Sequence, residues 1–191
     1  MGDSDHRIRL YASQADAVLQ AIRRDGVCYS KEEYVRRKYG ESAVIFQTAY
    51  RWFVREAQRI VHRPEGAEFP YWAFRDLYSV EQSGDCHILS LLVPADEVIL
   101  FDMYDWNKIL CMKFIGENEE EEREFHNRLK LCGIKESDAV LTNFYPEWRE
   151  QIVGSWPRLF RNHERLKAGD CDGVGSAQAA LWRIKKEWIV D

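Results

Sequence analysis

Apolar and polar positions along the chain divide it into a series of short elements. Ile8-Arg9-Leu10-Tyr11 alternates as a strand does. Ala15, Val18, Leu19 and Ile22 then recur at helical spacing, with Ser13 placed to cap the helix and Asp25-Gly26 to end it. Val27-Cys28-Tyr29 reads as a second short strand, so the chain opens on a compact β-α-β unit. Ser30 and Glu33 outline a capping box for a short helix through Lys38, closed by Gly40. From Ser42 to Val61 the positions Ile45, Phe46, Ala49, Trp52, Phe53, Ala57 and Ile60 predict an amphipathic helix of about five turns. A loop runs from Pro64 to Pro70, and the aromatic segment Tyr71–Phe74 is too short for its period to separate strand from turn.

The clearest sheet signal is Cys86–Val93, then the turn Pro94-Ala95-Asp96, then Glu97–Phe101; the short connection predicts two adjacent antiparallel strands. Tyr104–Phe114 reads as a helix carrying Trp106, Ile109, Leu110 and Phe114. The acidic run Glu117–Glu124 leads into a helix through Leu131 and reads as a solvated face. Glu136–Phe144 is predicted helical and Pro146 is expected to break it. In Glu147–Phe160, Pro157 marks a fresh helix start with Ser155 as its cap. The stretch Ala168–Ser176 holds three Gly and two Asp and is the strongest loop signature. The opening half of Ala177–Val190 suits a strand that enters the sheet late, and Trp156, Phe160, Trp182 and Trp188 are assigned to the core. With no internal repeat and no low-complexity linker, residues 1–191 read as a single α+β domain. Its sheet is mixed, mostly antiparallel and flanked by helices.

Composition narrows the function classes. At 191 residues the chain is long enough to bury roughly 70% of its unfolded surface, so a core can form without a metal or disulfide staple. Aromatics at 13% exclude a disordered chain. No apolar run approaches the ~18 residues of a membrane span, and the polar start lacks a signal-peptide core, so a cytoplasmic protein is expected. The net charge of −5 makes nucleic acid an unfavourable partner. The stripe Arg51, Arg55, Arg59, together with Arg36-Arg37-Lys38, is what an RNA-directed enzyme would use, and a solvated face is the alternative. The cysteines at 28, 86, 111, 132 and 171 form no C-x-x-C pair and read as free thiols. The five scattered histidines offer no metal-ligand spacing, so no metal is expected. Phosphate-cradling glycine loops and the nucleophile elbow are absent.

Several blocks carry a resemblance. They are Ile8–Tyr11, Asp25-Gly26-Val27, Ala49-Tyr50-Arg51-Trp52, Pro70-Tyr71-Trp72-Ala73, Leu91–Leu100 with its Val93–Val98 centre, and Asp102–Trp106. Ser155–Phe160 and Gln178–Ile184 complete the set. In this order they resemble the bacterial family known as domain of unknown function 3841, over nearly the whole chain. A second resemblance concerns mechanism. A first strand with a polar residue beside an aromatic, a helix ending in Gly, and a second strand bearing Tyr are similar to the opening of ADP-ribosyltransferase-type domains.

That similarity implies NAD held in a cleft between two small sheets. Arg9 would match the cationic position of the first strand, Tyr29 an aromatic stacking on nicotinamide, and Gln178 the late polar residue that orients the ribose. On this reading Gln178 and Arg9 are catalytic, and Arg9, Tyr11, Tyr29, Trp72 and Asp102 bind the cofactor. Tyr11 is included because period two puts it on Arg9's face, and Trp72 as a stacking ring. Asp102 is a strand-end carboxylate whose other use is to cap the helix after it. Many active transferases carry Glu where Gln178 stands, and a neutral amide cannot stabilise positive charge as a carboxylate does. The competing class is a non-enzymatic interaction or regulatory module, which the seven tryptophans and the acidic surface would suit, docking on a protein target or partner.

Overall fold

The computed structural model describes residues 6–32, 43–81, 84 and 86–190, without the side chains of 43–45. The helix expected from the Ser30–Glu33 capping box lies outside these residues beyond Glu32, and Ser30 itself forms an isolated bridge with Phe69.

Strand β1 (Arg7–Ala15) is nine residues long because it pairs along its whole length with β4 (Cys86–Pro94), from Arg7↔Pro94 to Ala15↔Cys86. Ser13 is therefore a strand residue opposite Ile88 and not a cap. Helix α1 (Asp16–Asp25) starts after Ala15 with no side-chain cap. Its end is as expected: Gly26 turns left-handed at φ 75° and donates its N–H to the Ile22 carbonyl at 2.9 Å. Strand β2 (Val27–Tyr29) follows, then α2 (Ala43–Ala57) and β3 (Tyr71–Phe74), which settles the aromatic segment as a strand.

After β4 come β5 (Ile99–Asp102), α3 (Met103–Leu110), α4 (Glu119–Leu131), α5 (Glu136–Leu141), α6 (Pro146–Ser155) and α7 (His163–Lys167). Strands β6 (Ala177–Leu181), β7 (Arg183–Lys185) and β8 (Ile189–Val190) finish the chain. Helix α5 ends at Leu141, before Pro146 as expected, and Pro146 opens α6 in its first turn, where its missing N–H costs nothing. Ser155 is not a cap either; its Oγ donates to the Ile152 carbonyl at 2.7 Å and accepts from Ile115 N–H at 2.9 Å. The acidic run supplies the first turn of α4, where four glutamates complement the helix dipole, and Asn118 caps it by accepting from Glu121 N–H.

The six-stranded sheet has the order β5-β6-β3-β1-β4-β8, and every pair in it is antiparallel. Strands β4 and β5, expected to be neighbours, are separated by β6, β3 and β1. Between them Ala95–Glu97 forms one 3-10 turn that redirects the chain, and the inner side of β4 is already taken by β1. Strands β2 and β7 form a separate two-stranded ribbon.

One face of the large sheet is apolar over most of its length, up to the pair Gln14 and His87 at one end of β1 and β4. Ile8, Leu10 and Ala12 of β1 pack there with Leu89, Leu91, Val93, Ala73, Leu100, Ala179 and Leu181, against Ile22 of α1 and Ile184 and Trp188. The opposite face is divided. Over β5, β6 and part of β3, the rings of Phe101, Trp72 and Trp182 pack under Trp52 and Phe53 of α2, Trp106 of α3 and Trp156. Over β1 and β4 the same face is open, and Arg7 and Arg9 are exposed there. Trp156, Trp182 and Trp188 are buried as expected, and Phe160 is half-buried against the helical core.

Phe53 is the hub of the helical layer: fully buried, with ring contacts to Trp72, Phe101, Trp106 and Phe160 at 5.1–5.5 Å. Phe53→Ala should cost about 3–5 kcal/mol, read as a lower urea midpoint with an unchanged slope. A second test concerns the edge of the sheet. His163 is buried, its Nδ1 accepts from Leu100 N–H at 3.0 Å, and burial holds its pKa below the ordinary value, with Glu164 raising and Lys167 lowering it in smaller measure. The neutral imidazole thus contributes stability that is complete above the unfolded-state pKa of about 6.5 and is lost as pH falls through the folded value. Urea titrations between pH 7.5 and 5 should show this loss, and His163→Gln, which keeps an acceptor for Leu100, should flatten it.

Candidate functional site

The register of the large sheet sets one row of side chains on the divided face. Phe101 of β5 stands opposite Gln178 of β6, Gln178 opposite Phe74 of β3, Phe74 opposite Tyr11 of β1, and Tyr11 opposite Ser90 of β4. The row passes from the closed half, where Phe101 is fully buried, to the open half, where Tyr11 and Ser90 are partly exposed. Strands are spaced ~4.8 Å apart, so Tyr11 and Gln178 lie two strands, or about 10 Å, from each other. Arg9 shares their face two residues along β1 and donates from Nη1 to Ser90 Oγ at 3.0 Å. Arg9, Tyr11 and Gln178, from opposite ends of the chain, thus share one face of the sheet, with Phe74 between Tyr11 and the buried Gln178.

Gln178 is the unusual member. It is 5% exposed between two phenylalanines of the row, and its Oε1 is buried with no hydrogen-bond partner. A buried acceptor left unmade costs about 1–3 kcal/mol, so native interiors rarely keep one. Both neighbouring positions of β6 are alanine, as is Ala180 beyond, so nothing in the strand itself reaches the amide.

The entry of β6 into the sheet is fixed by polar ties. Asp102 caps α3, its Oδ1 accepting from Tyr104 N–H at 2.9 Å, while its Oδ2 accepts from Gly175 N–H at 3.0 Å. A Cβ on Gly175 would lie 2.6 Å from the Tyr104 ring, so this position takes glycine for space. Ser79 and Ser176 share a hydroxyl hydrogen bond at 2.9 Å, and Arg75 N–H donates to the Ala177 carbonyl at 3.1 Å. Asp102 thus has both carboxylate oxygens engaged by backbone, and it positions the strand that carries Gln178.

The other two aromatic candidates are placed differently. Trp72 lies on the same face, opposite Ala180, but Tyr50, Phe53, Phe101 and Trp106 surround its ring at 5.1–6.1 Å and its Nε1 donates to Tyr50 Oη at 2.9 Å. It is a half-buried member of the aromatic core. Tyr29 belongs to the two-stranded ribbon, opposite Arg183, at the far end of β6 from Gln178. Arg183 is ion-paired with Glu97, and that bond holds its guanidinium above the ordinary pKa despite burial, with Tyr29 adding to the effect.

The most heavily charged interior cluster lies elsewhere. Asp105 is 5% exposed and binds Lys108 at 3.1 Å and Arg161 at 3.0 Å, and Lys108 also reaches Glu122 at 2.5 Å. Burial lowers the Lys108 pKa, and the hydrogen bonds from Glu122 and Asp105 outweigh it, so the ammonium stays above its usual range. Each of these groups is paired, as a structural tie between α3, α4 and the turn after α6 requires. Among the described residues no group of three or more His, Cys, Asp or Glu side chains could hold a metal ion, and no helix is long and apolar enough to cross a membrane.

Sequence reasoning missed Ser90, Phe74 and Phe101. Ser90 interrupts the apolar run of β4, which was the available signal for a polar partner on the open face; Phe74 and Phe101 carry no signal until the register is known.

The arrangement defines an α+β domain with a half-covered antiparallel sheet and a polar row crossing the boundary of the cover. A model of domain of unknown function (DUF3841) matches residues 9–190, and the chain belongs to that family. No curated protein matches it, and no solved structure does.

The orphaned amide makes a stability prediction. Gln178→Met keeps the volume and removes the unpaired acceptor. It should stabilise the protein by about 1 kcal/mol, a rise of ~2–4 °C in melting temperature, measured by calorimetry.

Proposed function

We propose that the boundary of the open half-sheet is a nucleotide site of the ADP-ribosyltransferase kind, built to hold NAD. The observation that carries this reading is the buried, unpartnered Oε1 of Gln178 on the face that also bears Arg9 and Tyr11. A hydroxyl donor would complete the amide, and a ribose supplies such donors. Arg9 is exposed, bonded to the neutral Ser90 hydroxyl, and forms no ion pair among the described residues, which leaves its guanidinium for a phosphate. Arg7 adds a second exposed cation on the same face. Tyr11 lies between them and Gln178 and offers a ring against which a planar group can pack.

NAD supplies a sugar that becomes positively charged as nicotinamide leaves. Gln178 would orient that sugar by accepting a hydrogen bond, and the reading assigns it no charge stabilisation. Arg9 would anchor the pyrophosphate. Trp72 and Tyr29 are not assigned contacts, because the ring of Trp72 is enclosed and Tyr29 stands at the other end of β6. Asp102 acts through the strand it positions.

A second reading, an interaction module in the cytoplasm, draws on exposed apolar side chains that could anchor a partner, among them Tyr78, Leu131 at 89% and Phe144 at 81% exposure. The two readings separate in a thermal melt. NAD at a hundred times its dissociation constant should add about 2.7 kcal/mol to the folded state and raise the melting temperature. The rise should vanish in Arg9→Ala and in Gln178→Met, although the latter variant is itself the more stable protein. A melting temperature indifferent to millimolar NAD, with a stoichiometric protein recovered alongside the purified chain, would leave the interaction module standing in its place.

A further inference from the structure

We propose a second, separate ligand site between α2 and α6, one that takes a small organic phosphate of the nucleoside diphosphate class. A cavity of about 680 Å³ opens there, with Arg51 and Arg55 of α2 on one side and Arg149 and Glu150 of α6 on the other. Trp52 and Trp156 close its floor, in edge-to-face contact at 5.4 Å, and both are at most 5% exposed. Its size matches sites that hold small organic ligands, which run from roughly 300 to 1,000 Å³.

The charges decide what enters. The stripe Arg51, Arg55, Arg59 is not a continuous cationic track, because Glu56 binds Arg55 at 2.9 Å and Arg59 at 2.7 Å. A polynucleotide, which needs successive unpaired cations along its backbone, is poorly served by that face and by the net charge of −5. The two ends of the cavity differ from the stripe. Arg149 forms no ion pair among the described residues, and Arg51 reaches Glu32 only at 3.6 Å, beyond hydrogen-bonding distance. Two guanidinium groups from different helices therefore face one concave space, and among the described residues one carboxylate, Glu150, lines it. Arginine forks match phosphate oxygens in pairs. The accessible apolar lining of Pro146 and Val153, above a tryptophan floor that is almost wholly covered, calls for more than an inorganic ion: a planar or apolar body attached to the phosphate.

The site is independent of the NAD reading, and titration calorimetry with ADP, inorganic pyrophosphate and a single-stranded RNA oligomer tests it. ADP should bind the wild-type chain, with affinity falling as salt rises, and pyrophosphate should bind at least tenfold more weakly because it lacks the body that the apolar lining accepts. Arg51→Ala combined with Arg149→Ala should weaken ADP at least tenfold, and both residues are exposed, so the fold should survive as judged by an unchanged melt. The ADP binding that the arginine double variant removes should persist in Arg9→Ala and Gln178→Met, which separates this site from the sheet face. Lys130→Ala, in a different lysine-lined cavity with Lys113 and Lys135, should also leave it unchanged. Absence of ADP binding, equal binding of pyrophosphate, indifference to the arginine double variant, or RNA binding tighter than ADP and lost in that variant would each overturn the proposal.

Discussion

The structure depends on the insertion of β6 between β5 and β3. This strand comes near the end of the chain, yet it fills an interior place in the large sheet, and all five of its residues are buried. Three of the five are alanines, so layers on both faces can approach closely: Tyr71 and Leu181 pair on one side, Trp72 lies over Ala180 on the other. Without β6, β5 would lose the strand it pairs with among the described residues, and the aromatic layer of α2 and α3 would lose its floor. Non-local pairing of this kind must close a long loop before its contacts reward it, an entropic cost that the local helices do not carry.

Within that strand a single polar residue runs against the pattern. The alanines satisfy packing; Gln178 does not, and its amide oxygen stays unpaired beside phenyl rings. Local conflicts with an otherwise consistent interior are where function tends to reside, since nothing in the fold itself is served by them. The surrounding ties from Asp102, Ser176 and Arg75 hold the strand end in place and reduce the freedom of the amide to move toward water.

Much of the architecture was legible in the residue pattern, and the failures have physical causes. The α+β class, the opening β-α-β unit, the left-handed cap at Gly26 and the late strand at Ala177 all follow from local signals that tertiary structure leaves unopposed. Ser13 looked like a cap because its chemistry suits one, but nine paired residues between β1 and β4 outweigh a single capping bond. The β4–β5 hairpin failed for a reason visible in hindsight in the side chains. Strand β4 alternates between buried and half-exposed, whereas Ile99, Leu100 and Phe101 are buried on both faces, so the two belong to different parts of the sheet. For the site, Arg9, Tyr11 and Gln178 were each readable as candidates, and their meeting on one face required the register. Trp72 was chosen as a stacking ring and Tyr29 by its place on the second strand of the resemblance, and register and ring packing set both apart from the row that carries Gln178.

The bond from Leu100 N–H to the His163 imidazole has a consequence for how copies of this chain treat one another. Strand β5 forms a border of the sheet, and its outward backbone donors would otherwise be a template on which a second molecule could add a strand. Helix α7, anchored by that imidazole, occupies the place such an intruder would take. At the other border β8 is only two residues long. On the β5 flank, sheet growth from molecule to molecule is thus opposed by a side chain, and acidification, by protonating the imidazole, would weaken that barrier.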